Sequence, residues 1–150
     1  MKPHTLGSLL VAAQFGALGA LLFLAAPSLM QAPFQAMVWL CLGLSGLVGL
    51  SALLANRPGN FNIRPTPHAQ GKLVAQGPYR WIRHPMYTAV SLLGLACALA
   101  LDSALAWLLW LGLSLVLLVK ALLEERWMTA LHPTYAHYQA RTRRFIPFIL

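Results

Sequence analysis

The side chains able to do chemistry sit in one stretch and one later pair. Gly77-Pro78-Tyr79-Arg80-Trp81-Ile82-Arg83-His84-Pro85-Met86-Tyr87 brings arginines, a histidine and tyrosines to the mouth of an apolar segment. Glu124-Glu125 follows where the next apolar segment gives way to charge. The chain has only three acidic residues, Asp102 being the third, so the paired placement calls for an explanation. An α-amino-acid moiety needs an anion site for its carboxylate and a carboxylate for its ammonium. Pro85 suits the first turn of a helix, where its missing N–H costs nothing. His84 and Arg83 then precede that helix at the end that attracts anions. The helix start with Tyr87 and an arginine offers the first half of a site, and Glu124 or Glu125 the second. The spacing therefore points to a small zwitterionic cofactor bound at a membrane face.

Each group also has a plainer role. Arg80 and Arg83 serve as positively charged membrane anchors, and Trp81 and Trp127 as an interfacial aromatic belt. His84 serves as a helix cap, and one glutamate pairs with Lys120 or Arg126 along a helix. Their joint occurrence is what favours a site. His68, His132 and His137 are too scattered for a metal centre, and no Ser/His/Asp set or phosphate loop is visible. We expect no metal.

The elements that must position these groups are membrane helices. The chain of 150 residues is 59% hydrophobic and 9% charged, against about 25% charged in a soluble domain. A spanning helix needs about 20 apolar residues. Leu6 to Ala26 supplies one, read as an uncleaved first helix after Lys2 and His4, and Phe34 to Ala55 a second. The second holds Gly43, Gly46 and Gly49 with Ser45, a small-residue stripe suited to close packing. Pro85 to Leu101 and Ser103 to Leu123 form a helical hairpin turning at Asp102-Ser103, which also caps the helix that follows. The first arm has about 17 residues, roughly 25 Å at the helical rise. Counting along antiparallel arms sets Tyr87 near residue 117 and Glu124 level with about residue 80. The expected fold class is all-α integral membrane with about four transmembrane helices. The organisation is a single domain: two spanning helices over 1–55, a polar loop over 56–84, the hairpin over 85–123 and a C-terminal segment over 124–150. That last segment is amphipathic and basic, and reads as a surface helix interrupted near Pro133, lying over the polar loop.

The formal charge of +8 does not argue for nucleic acid. Lys and Arg collect at the N-terminus, in the 56–84 loop (Arg57, Arg64, Lys72, Arg80, Arg83) and in the C-terminal segment, while the turns at 27–35 and 102 have none. The positive-inside rule then puts both termini, the motif and the carboxylate pair in the cytoplasm, with the chain integral to a bacterial inner membrane. Cys41 and Cys97 lie in apolar segments and read as small buried hydrophobes.

Gly77-Pro78-Tyr79 with Arg83-His84-Pro85-Met86-Tyr87 resembles the cofactor motif of the isoprenylcysteine carboxyl methyltransferases and their phospholipid methyltransferase relatives. Glu124-Glu125 with Tyr135, Tyr138, Arg141 and Pro147-Phe148-Ile149 is similar to that family's C-terminal pattern. The resemblance covers about Lys72 to Leu150. It implies S-adenosylmethionine as methyl donor, and a lipophilic or lipid-like acceptor entering sideways from the bilayer. Carried over, Leu73 and Val74 border the adenine, and Gly77, Tyr79, His84, Pro85 and Tyr87 form the cofactor site. Glu125 or Glu124 takes the cofactor's amino group. Arg83, Arg141 and Glu124 stand nearest the reaction. Methyl transfer from a sulfonium asks mostly for placement and electrostatics. An acceptor carboxylate needs an arginine, and an acceptor amine needs a base. Both kinds of group are present, so an isoprenylcysteine-type carboxylate and a lipid headgroup both stay open. His132-Pro133 stands where the family usually has Phe-Gly or a similar pair. Two other classes share these features: an NADPH-dependent enzyme like the sterol reductases, which carry an Arg-His-x-x-Tyr element and an acidic pair, and a non-enzymatic membrane scaffold.

Overall fold

A computed structural model describes residues 3–56, 73–147 and 149. The expectations for Lys2, Arg57, Arg64, His68 and Lys72 lie outside the described residues. The elements in chain order are α1 (Pro3–Ala25), α2 (Gln35–Ala55), a 3₁₀ turn (Gly77–Arg80), α3 (Pro85–Leu101), α4 (Ala104–Leu131) and α5 (Tyr135–Arg141). The described residues are otherwise irregular apart from one isolated bridge, Ile82 to Arg143. The protein is an all-α membrane protein. Three of its helices are long and apolar enough to cross a bilayer, Thr5–Ala25, Gln35–Ala55 and Ala104–Leu131, and the shorter apolar helix Pro85–Leu101 accompanies them.

That short helix is the centre of the bundle. α3 packs on α1, α2 and α4, and it exposes no large hydrophobic side chain, whereas the other three carry exposed leucines such as Leu9, Leu47 and Leu108. Lipid tails are as apolar as leucine, so helices associate there through close packing, which favours small residues. α3 supplies them as Ala89, Gly94, Ala96, Cys97, Ala98 and Ala100, all buried. α2 meets it along Val38, Cys41, Ser45, Gly49 and Ala52. Ser45 Oγ donates to the Ala89 carbonyl at 2.8 Å, and a Cβ built on Gly49 would sit 3.4 Å from that of Ala89. The small-residue stripe expected on α2 is thus only half used, because Gly43 and Gly46 face open space. The buried positions recur every three or four residues from Val38, and that periodicity turns positions 43 and 46 away from α3. On the other side, a Cβ at Gly94 would lie 2.9 Å from Leu113 Cδ2, so this glycine sets how closely α3 and α4 approach.

The hairpin turns as the sequence suggests. Asp102 closes α3 in the left-handed region at φ 42°, and Ser103 Oγ accepts from Ala106 N–H at 3.3 Å to cap α4. The second arm does not stop at Leu123. It continues to Leu131, so both glutamates lie within α4. The onset of charge ends the apolar run but not the helix: residues 124–131 are mostly good helix formers, and the break comes only before Pro133, which disfavours helical backbone at the residue preceding it.

The 3₁₀ turn rests on the end of α2. Gly77 adopts φ +59°, and a Cβ there would lie 2.9 Å from Ala55 Cβ. Both the backbone and the contact demand glycine. Gly77→Ala should destabilise the protein by about 1–3 kcal/mol, read as a lowered thermal midpoint in detergent.

Candidate functional site

Glu125 is the most densely bonded side chain in the structure's polar end. It is 4% exposed, yet its carboxylate accepts from Arg83 Nε at 2.8 Å, Arg144 Nη2 at 2.9 Å, Gln139 Nε2 at 3.2 Å and His84 Nε2 at 3.2 Å. A buried carboxylate is tolerable only when paired and hydrogen-bonded, and here two guanidiniums face it. The four partners come from the segment before α3, from α5 and from the chain beyond α5.

These bonds fold the C-terminal segment back over the motif. Arg83 N–H donates to the Arg143 carbonyl at 2.7 Å, His84 N–H to Arg144 at 3.1 Å, and Arg143 N–H to Trp81 at 2.9 Å. The Arg83 guanidinium also donates to the carbonyls of Gln139 and Thr142. Thr88 Oγ1 donates to the Phe145 carbonyl at 2.9 Å. Tyr138 Oη donates to the Tyr79 carbonyl at 2.7 Å, tying α5 to the 3₁₀ turn. Burial pushes the Tyr79 phenol up to about 12, although a hydrogen bond with Asn56 at the end of α2 works the other way. Burial likewise raises the phenols of Tyr135 and Tyr138.

Glu124 is less committed. Its side chain is 31% exposed, with His84 Nδ1 3.7 Å from Oε2. Tyr87 Oη donates to the same oxygen at 3.1 Å. The imidazole of His84 therefore lies between the two glutamates, stacked on the Tyr87 ring at 5.3 Å. Counting Cα levels set Glu124 near residue 80, but its partners are residues 84 and 87. Side chains lean toward the N-terminus of their own helix. Tyr87 therefore reaches out toward the polar end and Glu124 reaches back from it, and they meet between.

The other expected site residues distribute unevenly. Pro85 is buried at the start of α3, directly after His84. Gly77 and Tyr79 sit in the 3₁₀ turn, and Leu73 and Val74 are half-buried just before it without regular structure. Arg141 is not brought to Glu125: it ends α5 exposed to solvent, and the arginine of the C-terminal segment that joins Arg83 on Glu125 is Arg144. The helical turn spacing explains the difference, since α5 ends at Arg141 and the extended residues after it direct Arg144 back to α4. Arg144, Gln139 and Thr142 were not singled out in the sequence. Their only signal was membership of a basic, amphipathic tail. Lys120, buried inside α4, also departs from the expectation that basic residues lie outside the spans.

A cavity of about 510 Å³ opens beside this cluster, between α3 and α4. Tyr87, Thr88 and Phe145 line its polar end, and Ser91, Leu95 and Trp110 the part deeper among the helices. Trp110 Nε1 donates to the Ser91 carbonyl at 3.1 Å, and the Ser91 and Ser114 hydroxyls lie 3.3 Å apart. Leu115, on the exposed side of α4, also lines it, so the groove faces the lipid side of the bundle.

The model of the phospholipid methyltransferase family matches residues 40–134, well over half the chain. The chain belongs to that family. It is similar to the cobalt-zinc-cadmium resistance protein CzcN of Cupriavidus metallidurans, 36% identical over 77 residues, which is 50% of this chain and 35% of the relative. It is also similar to the uncharacterized protein C594.04c of Schizosaccharomyces pombe, 37% identical over 79 residues, covering 49% of this chain and 23% of the relative. The matched stretch is thus about a third or less of each relative's own length. No solved structure matches the chain. Membership makes this a protein of a membrane methyltransferase family, and the matched span contains the motif, the hairpin and both glutamates.

Removing one partner of a buried ion pair costs about 3–5 kcal/mol. Glu125→Ala should therefore release the C-terminal segment, and limited trypsin digestion in detergent should cut after Arg141, Arg143 or Arg144 at least about tenfold faster than in the parent. Glu124→Ala should leave that cleavage rate unchanged.

Proposed function

We propose that the protein transfers a methyl group from S-adenosylmethionine to an amphiphilic acceptor arriving from the bilayer. The observation that carries this reading is the position of Tyr87. Its ring lines the groove that opens toward lipid, and its hydroxyl bonds the partly exposed Glu124. One residue thus joins an apolar channel to an acid–imidazole cluster, as a lipid-modifying site requires.

The residues present fit the donor. Glu124 has one close protein hydrogen bond and an accessible side chain, so its carboxylate is the group to hold the ammonium, with His84 and Tyr87 fixing its direction. Glu125 has its oxygens occupied by four donors of its own chain; its role is to hold the C-terminal segment in place. Leu73 and Val74, with Gly77 and Tyr79 behind them, would border the nucleoside. When bound, S-adenosylmethionine supplies a methyl group already activated as a sulfonium, so the chain need only align the acceptor and exclude water. The groove between α3 and α4 would hold the acceptor's apolar tail, leaving its polar end near Tyr87 and Glu124. Arg83 is consumed in bonds to Glu125 and the C-terminal segment, so of the two arginines that the family resemblance points to, exposed Arg141 is the one left to meet an acceptor carboxylate. With Glu124 holding the ammonium, His84 would serve as the base for an acceptor amine. The single-domain organisation, a cytoplasmic polar end and a bacterial inner-membrane location complete the reading, on the distribution of Lys and Arg.

Calorimetric titration of the detergent-purified protein with S-adenosylhomocysteine, with NADPH as the control titrant, tests the cofactor. Saturable binding of the first alone is expected, weakened about tenfold or more, some 1.4 kcal/mol, by Glu124→Gln. Binding of NADPH alone would move the protein to the reductase class, and binding of neither to a scaffold. For the acceptor route, Ser91→Phe should fill the groove. Methyl transfer to added lipid acceptors should fall about tenfold or more while S-adenosylhomocysteine affinity stays within about twofold.

A further inference from the structure

Lys120 is a charge held inside the bundle, one turn before its polar end. It is 1% exposed, on a helix long enough to span. A buried intramembrane cation is expensive and is kept where it serves a site. Its ammonium donates to Gln14 Oε1 on α1, and Gln14 is itself buried at 6% exposure. The same ammonium lies 4.9 Å from the centre of the Tyr87 ring on α3. Glu124 follows one helical turn later on α4, where residues four apart share a face. Three helices therefore converge on one amine directly behind the Tyr87–Glu124 hydrogen bond.

We propose that Lys120, anchored by Gln14, is a positioning residue that holds Tyr87 and Glu124 as an oriented, charge-compensated receptor for a cationic group. The attraction between the ammonium and the Tyr87 ring face fixes the phenol. The phenol's hydroxyl in turn fixes Glu124 Oε2. The positive charge behind Glu124 offsets the cost of keeping a carboxylate at the rim of an apolar bundle. Gln14 lies outside residues 40–134, which match the family model, so this contact brings α1, which precedes the matched span, to the site. The inference rests on the cofactor reading above, with the ligand's ammonium as the cation received.

The test compares affinities for S-adenosylhomocysteine and for its analogue lacking the α-amino group, in the parent, Lys120→Met, Gln14→Met and the double variant, with the thermal midpoint of each. Met keeps the unbranched shape of the Lys stem without its charge. The parent should prefer the amino compound by about tenfold or more, and Lys120→Met should reduce that preference to within about threefold. Its thermal midpoint should fall as well, because buried Gln14 loses its donor and Glu124 its compensating charge, so the readout is the ratio of the two affinities and not the midpoint. Gln14→Met should lose part of the preference, and the double variant should match Lys120→Met, as expected for groups acting in series. Retention of the full preference by Lys120→Met would overturn the inference, as would an equal weakening of both ligands that leaves their ratio unchanged. So would Gln14→Met and Lys120→Met effects that simply add. Failure of the parent itself to bind S-adenosylhomocysteine would instead overturn the cofactor reading, and this inference with it.

Discussion

A single buried carboxylate organises the polar end of this protein. Glu125 projects from α4 among groups drawn from three separate stretches of chain. Isolated in that environment it would be prohibitively costly, so its charge obliges the rest of the chain to deliver donors. Arg83 and His84 come from just before α3, Gln139 from α5 and Arg144 from the irregular chain beyond. Once they are in place, the backbone of residues 81–84 is paired with that of residues 143 and 144. Thr88 fastens the next carbonyl, Phe145 O. The C-terminal segment is held by these ion pairs and main-chain hydrogen bonds together with the packing of buried Tyr135 and of Phe145, whose ring lies 5.9 Å from that of His84.

That arrangement divides labour between two adjacent glutamates. Neighbouring positions on a helix point about 100° apart, so one can face into a knot of donors while the other meets Tyr87. Glu125 is spent on structure. Glu124 keeps one close hydrogen bond, from Tyr87, and partial exposure. The imidazole between them couples the two environments. A change at Glu125 would reach Glu124 through His84, while the reverse disturbance would leave the C-terminal segment attached.

Beneath the cluster, the bundle is built around its shortest helix. α3 can be short because it is surrounded by α1, α2 and α4 and meets lipid with few large side chains. Its small residues permit close contact on two sides, and the place where it separates from α4 is the groove lined by Tyr87, Ser91 and Trp110. The polar cluster and the groove meet at Tyr87 because it lies in the first turn of α3, directly after His84.

Much of this was legible in the sequence. Apolar runs of spanning length, the Asp102-Ser103 turn, Pro85 at a helix start and the shared location of Arg83, His84, Tyr87 and the two glutamates all follow from local pattern, because helix length, capping and turn formation depend on near neighbours. The sequence could not distinguish Glu124 from Glu125, choose Arg144 over Arg141, extend α4 to Leu131, or reveal that Gly43 and Gly46 face away from α3. Nor could it place Gln14 and Lys120 together across more than a hundred residues of chain. Those outcomes turn on helix rotation and on which long side chains meet, and such contacts exist only after the helices have packed. Residue types and spacing determined that polar groups would gather at the mouth of the hairpin; tertiary packing decided which charges would be buried among partners and which would stay partly exposed.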